Sequence, residues 1–120
     1  MTIPNESYRV AEPMDPSDLV DVLVDLRGLL EDNEQVQSFS VVLLPEAVAV
    51  GLTIATTGEY ITKLVNGYTG LLVWLQIDPN YVANDVFIDG IWLPFEVTVK
   101  TSSIPARRRQ RTVLVEVKQL

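Results

Sequence analysis

Cysteine and histidine are both missing from the 120-residue chain. Without cysteine there is no disulfide framework, no thiolate zinc site and no thiol nucleophile. Without histidine, the commonest general base at neutral pH and the commonest nitrogen ligand for metals are gone as well. Ser38, Ser40, Ser102 and Ser103 therefore have no imidazole to activate them. Glycine is sparse, at 6 residues, and the two in VGLTIATTGEY (Val50–Tyr60) do not have the spacing of a phosphate-binding loop. No cofactor, metal or catalytic group is expected, and the chain reads as a non-enzyme. Long apolar runs are lacking too. The most apolar stretch, Val41–Ala55, contains Pro45 and Glu46 and falls short of the roughly 20 residues of a spanning helix. The opening MTIPNESYRV has no charged-then-apolar leader pattern. Together these features predict a soluble protein made in a reducing cytoplasm, with no membrane partner.

Charge is abundant but lopsided. There are 16 acidic side chains against 9 basic ones, a net charge of -7. Such a balance argues against nucleic acid as a partner, because phosphate binding needs a basic face. The hydrophobic fraction of 48% marks a folded chain, and the length fits one domain. Residues 1–17 carry Pro4, Pro13 and Pro16 without sustained periodicity. Proline fixes φ and cannot donate a ladder bond, so this segment is expected to be an extended N-terminal arm preceding a domain over 18–120. Two readings of the arm stay open: a loose terminus, or a segment ordered only on a neighbouring subunit through Ile3, Tyr8, Val10 and Met14.

From Val20 the pattern alternates with period two. Val20, Val22, Val24 and Leu26 share one face of a half-buried strand. Further strands are predicted at Val36–Leu44, Ala47–Ile54, Tyr60–Val65, Tyr68–Ile77, Val86–Ile88, Ile91–Val99 and Thr112–Val117. Asn66-Gly67 and Asp89-Gly90 supply hairpin turn signals, and Pro94 points to an edge position or a bulge. Seven or eight short strands, each with one wet face, predict an all-β, immunoglobulin-like antiparallel sandwich; barrel closure is the alternative. Val22, Val24, Phe39, Val41, Leu43, Leu72, Trp74, Val97, Val99, Val113 and Val115 are the expected core, with Trp74 as a central plug.

Three groups of residues invite a site. Asp78, Asn80, Asn84 and Asp89 match oxygen positions of a calcium loop, but Ala83 stands where the sharp turn needs glycine, so a plain polar loop is expected. Trp92 and Tyr81, near Asn80 and Asn84, are the residues that a carbohydrate- or host-surface-binding module would stack on a sugar. The third group is Arg107, Arg108, Arg109 and Arg111, in SSIPARRRQRT. Arginine offers planar bidentate donors and is enriched at interfaces. Because ten acidic residues lie at or before Glu46, copies meeting acid to arginine would build a ring. The competing reading is a solvated turn. Pro105 is expected to keep Thr101–Gln110 in a loop.

LLVWLQI (Leu71–Ile77), FEVTVKTSS (Phe95–Ser103) and RRQRTVLVEV (Arg108–Val117) carry a resemblance. The chain resembles small immunoglobulin-like virion proteins of tailed phages, of the fibre–tail adaptor type. That family ends in a VWLS strand, a glycine-rich turn, a YxVTxxxTTS strand, a GR turn and an RSxxIxV strand. Val73-Trp74-Leu75, then Val97-Thr98 with Thr101-Ser102, then Arg111-Thr112 with Val115 and Val117 stand at the matching places. VDVLVDLRGLL is similar to the family's acidic opening strand. Two departures are visible: the long Asp78–Asp89 segment replaces the glycine-rich turn, and IPARRRQR replaces the GR turn. The resemblance implies a non-enzymatic neck or tail component of a virion, produced in the host cytoplasm. It implies a homo-oligomeric ring with other virion proteins as neighbours; a head decoration protein is the nearest alternative.

Overall fold

A computed structural model describes residues 7–120. The strands are β1 (Ser7–Arg9), β2 (Leu19–Asp25), β3 (Val36–Leu43), β4 (Leu52–Ile54), β5 (Lys63–Val65), β6 (Gly70–Ile77), β7 (Ile91–Thr101) and β8 (Arg108–Val117); one short helix, α1 (Pro45–Ala49), follows β3. They form two sheets. The first has the order β1-β8-β7-β3; the second has β2-β6-β4, with β5 also pairing β6. This is a two-sheet, all-β sandwich of eight strands, and neither sheet closes into a barrel. All pairings are antiparallel except that of β1 with β8.

Alternation fixes the core. Leu93, Phe95, Val97 and Val99 of β7 and Val113, Val115 and Val117 of β8 face Val22 and Val24 of β2 and Leu71, Val73, Leu75 and Ile77 of β6; all are buried. Each large aliphatic side chain so buried contributes about 1.5–3 kcal/mol. The β6 expectation had the wrong phase. Leu72 and Trp74 lie on the outer face, half-buried, with Tyr60 edge-on to the Trp74 ring at 5.1 Å. Both phases of LLVWLQI are apolar, so only Gln76, which shares Trp74's parity, marks the wet side. Phe39, Val41 and Leu43 are packed against the core but only half-buried, because β3 is the last strand of its sheet.

Of two predicted strands, one is a strand only in part and the other is not one. Ala47–Ile54 forms strand only at Leu52–Ile54 (β4); ahead of it, Pro45 at the first helical turn and Glu46 beside the helix N-terminus start α1. Gly51, at φ +92, stops it. Val86–Ile88 belongs to a 3-10 turn at Asp85–Phe87, so Asp89-Gly90 joins no hairpin. Asn66-Gly67 does turn β5 into β6, with Asn66, Gly67 and Tyr68 all at positive φ. Pro94 sits mid-sheet in β7. Its carbonyl accepts from the Leu44 N–H at 3.3 Å, so its missing donor faces the place where β3 has already ended.

The described part of the N-terminal segment is neither a loose terminus nor ordered only on a neighbour, because it joins the chain's own sheet. Tyr8 pairs with Val113, and the Val10 N–H donates to the Leu114 carbonyl at 2.9 Å. Met14 is 3% exposed and exchanges bonds with the last strand: its N–H donates to Glu116, and its carbonyl accepts from Lys118. Prolines are tolerated because the pairing runs Ser7–Arg9 and resumes at Met14, on either side of Pro13. Ile3 lies outside the described residues.

Candidate interaction surface

The four arginines do not lie in one loop. β7 extends to Thr101 and β8 begins at Arg108, so the connection is only Ser102–Arg107. Pro105 sits inside that connection, which leaves pairing free to resume at Lys100 and Arg108. Successive strand residues face opposite ways, so the arginines separate. Arg108 points to the outer face beside Lys100, while Arg109 and Arg111 pair with Val99 and Val97 on the core-side face, half-buried.

Arg107 is committed within the chain. Its guanidinium donates to a Glu31 oxygen at 2.9 Å and stands 3.6 Å from Glu34. Glu34 exposes only 6% of its side chain and accepts from the Glu31 N–H at 2.7 Å. That backbone N–H, then the Ser103 hydroxyl, hold the Glu34 carboxyl below the ordinary glutamate range; Thr101 and Arg107 add to the effect, and burial opposes it. Thr101, fully buried, accepts the Arg107 N–H on its hydroxyl at 3.0 Å. Ser102 and Gln35 exchange bonds across the same seam. The Glu31–Gln35 turn and the β7–β8 connection are thus clasped together, and Ile104 projects from the clasp with 99% of its surface exposed. No residue pattern announced this seam, since Gln35 and Ser102 lie 67 positions apart.

Among the described residues, Arg108, Arg109 and Arg111 have no acidic partner within ion-pair distance; Arg111 donates only to the Gln110 carbonyl, at 2.8 Å. Of the other expected interface residues, Tyr8 is exposed at the sheet edge, whereas Val10 is half-buried and Met14 is core. Met14 therefore offers no contact surface.

The remaining candidates dissolve into local structure. Asp78 caps the turn Pro79–Tyr81 by accepting the Asn80 N–H at 2.9 Å, and Asn84 caps Asp85–Phe87 through the Val86 N–H at 3.1 Å. Between them they anchor Phe87, a fully buried plug. Trp92 is 39% exposed, but the Arg9 guanidinium lies over its ring at 5.1 Å, on a face that a sugar would need. Among the described residues no helix is long and apolar enough to cross a membrane, and no group of three or more metal-ligating side chains forms. Compared with known proteins, the chain matches no family model and no curated protein. The class that fold and geometry define is an all-β sandwich with a clasped, arginine-bearing hairpin end.

Proposed function

We propose that this protein is a non-enzymatic structural component of a tailed-phage virion, a neck or tail adaptor that links tail or fibre components in a symmetric ring. One observation carries the reading: in a chain of net charge -7, Arg108, Arg109 and Arg111 stay without an acidic partner among the described residues while Arg107 next to them finds two. Arginines without an acidic partner among the described residues, on a hairpin end held in place by its own ion pairs, fit a surface completed by an acidic neighbour. Exposed ion pairs are worth about 0–1 kcal/mol each, so repetition around a ring is what gives them weight. The acidic remainder of the surface disfavours nucleic acid as the partner. The sandwich serves as spacer, and the resemblance of three strands to fibre–tail adaptor proteins supplies the virion setting.

The test replaces Arg108, Arg109 and Arg111 with serine and leaves Arg107 in its clasp. The variant is expected to keep its melting temperature, to enter particles less efficiently, and to show a weaker dependence of assembly on salt. Wild-type incorporation at every salt concentration overturns the reading, as does failure to find the polypeptide in purified particles.

A further inference from the structure

The described edges of the two sheets are not alike. β1, β4 and β5 are three residues each. β2 is longer, and its edge carries Asp21 and Asp25. The Leu26 N–H donates to Thr69 at 2.8 Å, so by alternation the backbone groups of Leu19, Asp21, Leu23 and Asp25 turn away from β6. Shortness and charge are the usual protections against unwanted pairing. β3 has neither. It is eight residues long, and VQSFSVVLL (Val36–Leu44) contains no charge, proline or glycine. Because Leu44 bonds to Pro94, the same alternation gives Ser38, Ser40 and Val42 to β7 and turns the N–H and C=O groups of Phe39, Val41 and Leu43 outward.

From this we infer that β3 pairs antiparallel with β3 of a second copy, about a two-fold axis at Val41. The occupant follows from charge and from register. Two chains of net charge -7 repel except where a strip is neutral, and β3 is the long neutral edge among the described residues. Centred on Val41, the strand is complementary to itself: Phe39 meets Leu43 of the second copy, Ser40 meets Val42, and Val41 meets its own equivalent. The strand itself, Val36–Leu43, holds no carboxylate, so none faces another within the pairing. The contact continues the β1-β8-β7-β3 sheet across two molecules and covers the three half-buried apolar residues that this edge leaves incomplete. It does not rest on the virion reading.

The first test uses the exposed positions Ser40 and Val42, which leave the core untouched. S40K/V42K sets lysine against lysine at both cross-strand pairs, whereas S40E/V42K sets glutamate against lysine. Sedimentation over a concentration series is expected to show a dimer for wild type, a monomer for S40K/V42K and a recovered dimer for S40E/V42K. A second readout uses the absence of native cysteine: V41C places two thiols opposite each other at about the 5.5 Å Cα separation that a disulfide spans. Mild oxidation is expected to give a covalent dimer with V41C and none with S38C. A wild type that stays monomeric throughout, an S40K/V42K variant that associates as wild type does, an S40E/V42K variant that fails to recover, or V41C that does not cross-link each overturns the inference. Particle incorporation is read separately, so a dimer that never enters a virion sinks the function and leaves the edge contact standing.

Discussion

Gly51 carries two constraints in one position. Its φ of +92 belongs to a region that a side chain resists, and a Cβ built there would lie 2.6 Å from the Tyr81 ring. Gly51→Ala is therefore expected to cost about 1–3 kcal/mol from the contact, with about 1 kcal/mol more from the backbone conformation; urea unfolding measures the sum. The same glycine carbonyl accepts the Asp78 N–H at 2.7 Å, so the end of α1 and the start of the Asp78–Asp89 segment are one joint. Met14 is the opposite case, a residue whose role comes from distance. Its burial against β8 makes Met14→Ala a core truncation, expected to lose about 2–5 kcal/mol in the same measurement. Stability unchanged by Met14→Ala would return residues 7–14 to the status of a loose arm.

Elements were legible where one face is wet. β2, β7 and β8 could be read from alternation, because solvent and core impose different residues on each side. β6 could be read as a strand but not in phase, since the outer Leu72 and Trp74 are as apolar as the inner Leu71 and Val73. Pro45 and Glu46 held the signal for α1, which the four alanines and valines of Ala47–Val50 obscured. The clasp was illegible in principle, because it joins turns that only the finished sheet brings together. It also makes a pH-dependent element. The Glu34 carboxyl titrates lower in the folded chain than in the unfolded one, so it adds stability above the unfolded value, and that stability is lost as pH falls through the folded one. Stability is expected to decline below about pH 4. Glu34→Gln is expected to flatten that decline, as read from melting temperatures across an acid series. An unchanged acid limb in the variant would assign the loss to other carboxylates, such as Asp25, which its bonds to Arg27 also hold low.

At the scale of the whole molecule, charge and topology pull in separate directions. The net charge of -7 keeps copies apart, while the arginine-bearing hairpin end and the neutral β3 edge are places where contact costs less. Replacing Arg108, Arg109 and Arg111 tests the first and recharging β3 tests the second, and neither depends on the other. The pairing of β1 with β8 has a further consequence for how the chain is made. β1 is the earliest described strand to leave the ribosome, and its partner is the last. Until Val113 and its neighbours emerge, Tyr8, Val10 and Met14 have no sheet to join, so the sandwich closes only once the last described strand has been made. A chain cut short before Thr112 would leave its first described strand unpaired and open to a protease.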